Sequence, residues 1–182
     1  MILPIVQYGD PVLRQKCEPV GEVDDTIRKL AADMIETMVD ANGVGLAAPQ
    51  VGRAIRLAVV DVSHDPECLS YLRVGGNDVA LEEIMPLVFI NPEIESDGKR
   101  ESEEEGCLSI YEIRASVSRR PEVRLRLPQL DGSVIELETD GLLARALQHE
   151  IDHLNGILFV DRVSPATKVG LRRKLRRLAA EA

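Results

Sequence analysis

Apolar positions recur at helical spacing in three segments of the chain. In residues 24–41 they keep a three-four spacing, with Asp24 as a candidate N-cap and Asn42-Gly43 as a candidate stop. Residues 141–155 form a second segment of this kind, in which most of the helix surface is apolar. Ser164-Pro165 predicts the start of a third helix that runs to the end of the chain, because proline suits the first helical position.

Between the first two helices, several segments have the length of β-strands or the alternation of apolar and polar residues that is typical of them. Ile55 to Val62 and Leu87 to Ile94 are apolar runs, and Asn91-Pro92 interrupts the second of them. Residues 63–86 are loop-like, with a candidate short helix near their end. Alternating positions, together with the hairpin signal Asp131-Gly132, predict strands at 113–118, 123–127 and 134–138. This order of elements predicts an α+β fold rather than a regular βαβ alternation.

The composition narrows the class of protein. The chain has 182 residues, enough for one domain with a real core, and we expect a single domain over residues 1–182. With two Phe, three Tyr and no Trp, that core must be mainly aliphatic. A net charge of −9 argues against DNA binding by the body of the protein, although the last helix is rich in Lys and Arg.

The first residues and the number of cysteines indicate the cellular compartment in which we expect the protein. Met1 to Pro4 lacks the basic and apolar regions of a signal peptide, and no apolar run reaches the roughly 20 residues of a membrane span. Three cysteines, an odd number, argue against a disulfide framework. These features predict a cytoplasmic protein that makes no contact with a membrane.

The second helix carries the most informative motif, His149-Glu150-Ile151-Asp152-His153. Residues four apart lie on one face of a helix, so both imidazoles can bind the same metal ion. Glu150 can then accept a proton from a water held by that ion. The alternative is a pair of core histidines bonded to backbone carbonyls, which the intervening glutamate disfavours. We expect Asp152 to face solvent or to support the ligands from behind.

The helix alone leaves the third ligand open. No histidine follows the motif; Asp161 comes too soon after the helix to fold back, and Glu181 lies next to the end. His64 lies far upstream in a loop-like segment and is expected on the surface. Cys107 is the better candidate, because a thiolate is a strong ligand for Fe²⁺ or Zn²⁺. The other two cysteines are expected to pack as small apolar side chains.

Three segments together resemble the signature motifs of the peptide deformylase family. They are Gly43 to Gln50 (GVGLAAPQ), Glu105 to Ser109 (EGCLS) and Gln148 to His153 (QHEIDH), in the family's order and approximate spacing. The resemblance implies antiparallel β-sheets packed around a central metal-binding helix, with one further helix towards each end of the chain.

The resemblance also implies a reaction and a metal. The ligands would be Cys107, His149 and His153, and the ion would be Fe²⁺, replaceable by Zn²⁺, Ni²⁺ or Co²⁺, one per chain. The substrate would be an N-formylmethionyl nascent peptide, from which hydrolysis releases formate. Water or hydroxide on the metal would attack the formyl carbon. Glu150 would take the proton of the water and pass it to the leaving amine.

Further positions would contact the substrate if the resemblance holds. The Gln50 side chain and the backbone N–H of Leu108 would hold the carbonyl oxygen, and Gly45 would help to hold the peptide in an extended form. The predicted lining of the methionine pocket consists of Val44, Leu142 and the aliphatic stem of Arg145.

Some features lie outside the motifs. Residues 63–86 are longer than the connection that is common in the family, and Tyr111 stands where a proline is frequent. Glu105 is expected to pair with Arg114 or Arg119.

The last helix is either a solvated amphipathic helix or a contact for ribosomal RNA, which would be sensitive to salt. Two rival functions are an H-E-x-x-H endopeptidase and a non-catalytic metal or redox sensor.

Overall fold

The computed structural model describes every residue from Met1 to Ala182. The three predicted α-helices are present, as α1 (Asp25–Asp40), α2 (Gly141–Leu154) and α3 (Pro165–Glu181). The ten β-strands are β1 (Gly45–Ala47), β2 (Leu57–Val60), β3 (Leu72–Val74), β4 (Asn77–Asp78), β5 (Leu87–Ile90), β6 (Glu93–Asp97), β7 (Glu101–Cys107), β8 (Ile110–Arg119), β9 (Glu122–Pro128) and β10 (Val134–Thr139). The mixed α+β class is therefore confirmed. None of the helices combines the length and the apolar character that crossing a membrane requires.

All strand pairs in the three sheets are antiparallel. A three-stranded sheet has the order β1-β2-β5, a five-stranded sheet has the order β4-β3-β10-β9-β6, and β7 and β8 form a separate hairpin. The apolar run from Leu87 to Ile94 is therefore two strands in two sheets, which corrects the prediction of one strand. Asn91 takes a positive φ of 44° before Pro92. At this break the chain leaves β5, which pairs with β2, and enters β6, which pairs with β9.

The β7–β8 hairpin was predicted only in part, because the acidic residues of β7 do not favour a strand. Pairing with β8 compensates for this low propensity: Glu104 accepts a hydrogen bond from Arg114 and Glu105 accepts one from Arg119. The register shifts between Gly106 and Cys107, where the hairpin turns. The shift places Cys107 at the end of β7. β1 was also predicted as loop, although it pairs with β2.

Residues 63–86 hold the N-terminal end of α2, which gives this long connection a structural role. The hydroxyl of Ser70 accepts a hydrogen bond from the backbone N–H of Leu143, and the side chain of Asp140 accepts one from the N–H of Tyr71. The same segment adds β3 and β4 to the edge of the five-stranded sheet. The N-terminal N–H groups of a helix have no partners within it, so Ser70 supplies one of the missing acceptors.

The central helix α2 lies in the core of the molecule. Leu143, Leu147 and Ile151 are buried with residues of both large sheets, and α1 packs on the other side of β1 and β2. A further cluster joins the β7–β8 hairpin to α3 through Ile110, Phe159 and other apolar residues. Because α2 packs against elements on several sides, the position of the backbone that carries His149, Glu150 and His153 is set by the core.

Candidate metal centre

Cys107, His149 and His153 lie together where the end of β7 meets α2. Their candidate ligand atoms all lie within 4.8 Å of one another, and no other group of three such residues in the chain is this close. The Sγ atom of Cys107 is 3.4 Å from Nε2 of His153. The hairpin thus brings a distant thiol to the two imidazoles that the helical spacing already pairs.

One pair of candidate ligands has the separation expected for two ligands of the same metal ion. Ligands bound at about 2.0–2.3 Å to a tetrahedral ion lie about 3.3–3.8 Å apart, and the 3.4 Å between Cys107 and His153 falls in this range. His149 directs Nδ1 at Glu105 Oε1, 3.1 Å away, which leaves its Nε2 for the metal. Phe159 stacks on the His149 ring, with the centroids 6.1 Å apart, and helps to fix the ring plane.

A buried network of charges supports the ligands from behind. Arg119, only 3% exposed, donates two hydrogen bonds to Glu105 and one to Asp152. Arg145 also donates to Glu105, and Arg162 donates twice to Asp152. Of the two predicted partners of Glu105, Arg119 is the correct one. Asp152 is buried and pairs with Arg119 and Arg162, so the prediction that it faces solvent was wrong; its support of the candidate ligands stays a prediction.

The surroundings of these groups shift their pKa values. Burial raises the pKa of Glu105, but hydrogen bonds from His149 and Arg119 outweigh it and lower the pKa to about 2. Burial lowers the pKa of His153 well below its usual value and so favours the neutral form that binds metals. Burial also raises the pKa of Glu150 to about 7. These contacts therefore favour the ionised form of Glu105, whereas burial makes Glu150 easier to protonate than an ordinary glutamate.

Glu150 is one of three buried polar side chains with an atom that the protein itself leaves unpaired; the others are Gln7 and His153. Its side chain is 4% exposed, and Oε2 has no hydrogen-bond partner. A buried carboxylate oxygen without a partner is costly, so a ligand or water that supplied a hydrogen bond here would be favoured. Glu150 also lines the cleft described below, where a ligand can reach it.

Gln50 lies beside the Cys107 sulfur, and its amide has one orientation. The Oε1 atom accepts a hydrogen bond from the N–H of Ala47 at 2.9 Å, so the NH₂ group faces the site. Nε2 lies 3.2 Å from the Ser109 hydroxyl and 3.5 Å from Cys107 Sγ. The sequence arguments did not single out Ser109, although it belongs to the same short motif as Cys107.

A cleft of about 630 Å³ opens in front of these residues. The residues predicted to contact the substrate all line it, namely Gln50, Leu108, Val44, Gly45, Leu142 and Arg145. The guanidinium of Arg145 is occupied by Glu105 and by the carbonyl of Val117. Lining residues that were not predicted include Asp65 in the long connection and Tyr111 and Glu112 at the start of β8.

The remaining candidates from the sequence lie outside the site. His64 is exposed, Cys17 is buried and Cys68 is half-buried, as expected of a surface residue and of packing residues. Asp161 pairs with Arg14, and Glu181 accepts a hydrogen bond from Tyr111. Of the candidates for the third ligand, Cys107 is the one that lies beside both imidazoles.

A thiol, two imidazoles, a buried carboxylate and an amide donor at the end of a cleft are the parts of a metal-dependent hydrolase. The family model for polypeptide deformylase matches residues 2–169. The chain belongs to the polypeptide deformylase family. A protein named peptide deformylase from Mesorhizobium japonicum is 44% identical over 99% of this chain and 94% of its own length. Another of the same name from Cellvibrio japonicus is 45% identical over 96% of this chain and 94% of its own length.

Solved structures agree with this assignment. A peptide deformylase from Legionella pneumophila is 39% identical, covers 100% of this chain and 99% of its own, and has a TM-score of 0.80. A peptide deformylase from Synechococcus elongatus in complex with actinonin is 38% identical, covers 98% of this chain and 85% of its own, and has a TM-score of 0.77. The antiparallel arrangement around a central helix is therefore shared with solved members of the family.

Proposed function

We propose that Cys107, His149 and His153 hold the catalytic metal and that Glu150 transfers protons in the reaction. The enzyme removes the N-terminal formyl group from formylmethionyl nascent peptides by hydrolysis of the formyl amide. The observation that carries the residue assignment is the convergence of the three ligand atoms beside a buried carboxylate with an unpaired oxygen. On this proposal residues 1–182 act as one catalytic unit.

Cys107, His149 and His153 would hold a divalent cation, which would lower the pKa of a coordinated water and polarise the carbonyl of the substrate. Glu150 then acts as general base towards the attacking water and as general acid towards the leaving amine. Its position inside the cleft and its free Oε2 suit both steps. Glu105 keeps its charge and orients His149 through Nδ1, so that Nε2 would be available to bind the metal.

Gln50 and Leu108 are the proposed donors to the carbonyl oxygen. The NH₂ group of Gln50 is already aimed beside the Cys107 sulfur, so no reorientation is needed when substrate arrives. The N–H of Leu108 would be the second donor, from the residue that follows the thiolate ligand. Loss of one donor of this kind usually costs about 10²–10³-fold in rate.

The methionine side chain would lie among Val44, Leu142 and the stem of Arg145. The salt bridge to Glu105 keeps the charged end of Arg145 occupied, so its methylene groups can serve as an apolar wall. Gly45 would allow the peptide backbone to approach closely in an extended form. A tight fit around the formyl group would exclude an acetyl group by its extra methyl, which is worth about 1–3 kcal/mol.

The metal is proposed to be Fe²⁺, with Zn²⁺, Ni²⁺ or Co²⁺ as replacements, because the ligand set joins one soft thiolate to two imidazoles. Anaerobic purification followed by metal analysis and a formate-release assay on formyl-Met-Ala-Ser tests both the ion and the reaction. We expect one ion per chain and formate release that Glu150→Gln lowers by about 10²–10⁴-fold, to a measurable residual rate, while the ion is retained.

Two results of this experiment would contradict the proposal. Cleavage of casein with no formate release would favour an endopeptidase. A metal-loaded protein that turns over neither substrate would favour a sensor.

We further propose that α3 contacts ribosomal RNA in the cytoplasm. Leu175 and Leu178 face the body, while an exposed basic face carries Lys168, Arg172, Arg173 and Arg176. Charge reversal of Arg172, Arg173 and Arg176 should reduce ribosome cosedimentation, and wild-type binding should weaken as salt rises. Removal of negative charge from Glu122, Glu136 and Glu138 on the five-stranded sheet provides a control. Unchanged cosedimentation of the charge-reversed protein would refute this contact.

A further inference from the structure

The irregular N-terminal arm runs behind the proposed oxyanion site and contacts both of its halves. The backbone N–H of Val6 donates to the carbonyl of Gln50 at 2.8 Å, and the N–H of Tyr8 donates to the carbonyl of Ser109 at 2.7 Å. Between them, the side chain of Gln7 donates through Nε2 to the carbonyl of Leu108 at 3.0 Å. The arm thus links two loops that are far apart in the sequence.

Gln7 makes the one contact of this group that depends on a side chain. Backbone donors at positions 6 and 8 are available to any residue except proline, whereas the bond to Leu108 needs a side-chain N–H. The Gln7 amide is oriented by its neighbours, because Nε2 also lies 3.4 Å from the carbonyl of Ile5 and both nearby groups are acceptors. Its Oε1 atom is buried without a partner.

The position of the Leu108 carbonyl matters because the N–H of the same residue is a proposed donor to the substrate. On one side Leu108 is attached to Cys107, which the metal would fix. On the other side its carbonyl is held by Gln7 and the next carbonyl by Tyr8. A residue tethered at both ends has little freedom to rotate its N–H away from the cleft.

We infer that Gln7 is a positioning residue, which holds the Leu108 carbonyl and thereby aims the Leu108 N–H at the carbonyl oxygen of the substrate. This inference rests on the proposed role of Leu108. It predicts that Gln7 contributes to the stabilisation of the transition state but not to binding of a peptide without a formyl group. The contribution is made from outside the cleft, since Gln7 does not line it.

Gln7→Met tests the inference, because methionine keeps the length of the side chain but has no N–H. A cavity of about 160 Å³ borders Gln7, so the thioether has space to adapt. Gln129→Met is the matched control: Gln129 is half-buried like Gln7 and donates to the carbonyl of Leu127 at 3.0 Å, but it lies away from the cleft. Gln7→Glu, of the same shape as glutamine, is a second variant in case the first does not fold.

The measurements are kcat and KM for formate release from formyl-Met-Ala-Ser, bound metal, and the affinity for the product Met-Ala-Ser. We expect Gln7→Met to lower kcat about tenfold, a fraction of the loss on deleting an oxyanion donor. Metal content and product affinity should stay within about twofold of the wild type, because neither uses the Leu108 N–H. KM should change little as well, because an oxyanion donor acts mainly on the transition state. Gln129→Met should match the wild type in all four.

Two outcomes would overturn the inference. One is an unchanged kcat in folded, metal-loaded Gln7→Met or Gln7→Glu. The other is a loss of kcat that is matched by equal losses of product affinity or bound metal, which would indicate a general structural role. A wild-type protein that releases no formate would instead refute the proposed function, and this inference with it.

Discussion

A single methyl group added at Gly45 should displace the carboxylate of Glu150. A Cβ atom built on Gly45 would lie 2.5 Å from Oε1 of Glu150 and 2.8 Å from both its Cγ and Cδ. The φ angle of Gly45 lies outside the left-handed region, so alanine can adopt the backbone conformation. Gly45→Ala therefore acts through contact with Glu150 rather than through backbone strain.

The size of the effect follows from these distances. Nonbonded heavy atoms pack best at about 3.5 Å or more, so the carboxylate must retreat by about 1 Å. A displacement of about 1 Å in a catalytic group can cost about 10²-fold in rate, and we expect kcat to fall by about this factor. The free energy of unfolding should change little. Alanine restricts the unfolded chain and so stabilises the protein by about 0.4–1 kcal/mol, which offsets the cost of displacing the Glu150 side chain.

The assay is formate release by Gly45→Ala and by Glu150→Gln, alone and combined, with metal content and Tm measured on each protein. Because the proposed effect runs through Glu150, the added methyl should cost little in the Glu150→Gln background. Gly21→Ala is the matched control, since a Cβ there meets no atom within 4 Å and its φ is also not positive.

Two results would refute this reasoning. Full activity of Gly45→Ala would show that the carboxylate tolerates the methyl group. An equal loss in the presence and absence of Glu150 would show that the methyl group acts on something else, such as the peptide path.

Two further predictions concern stability. Arg119→Met should lower the free energy of unfolding in denaturant titrations by about 3 kcal/mol, the low end for a broken buried pair, because Glu105 and Asp152 each keep another arginine. Arg114→Met, which breaks an exposed pair, should cost less than about 1 kcal/mol, and equal costs would contradict the argument. Burial raises the pKa of Asp161, but hydrogen bonds from Arg14 and the Leu158 N–H outweigh it and lower the pKa. The wild type should therefore have a larger free energy of unfolding than Asp161→Asn above about pH 4, and this difference should be lost as the pH falls below that value. A difference that stays constant from about pH 7 to about pH 3 would refute this prediction.

The elements with a regular sequence period were predicted well. The three helices begin and end within a residue or two of their predicted bounds, because caps such as Asp24 and Ser164 are local signals. The strand β7 was missed because its stability comes from pairing with β8 and from Arg119, which no local pattern in residues 101–107 reveals. The break at Asn91 was visible in the sequence, but the sequence did not show that the chain passes there from one sheet to another.

The sequence by itself determined the pairing of His149 with His153, because helical geometry places residues four apart on one face whatever surrounds them. It also determined the family, because three separated motifs occur in the right order. Only the tertiary structure decided that the β7–β8 register brings the Cys107 sulfur within 3.4 Å of His153. Packing likewise decided that Arg119 joins Glu105 to Asp152. Such contacts depend on how whole elements dock, which is a property of the core and not of any one segment.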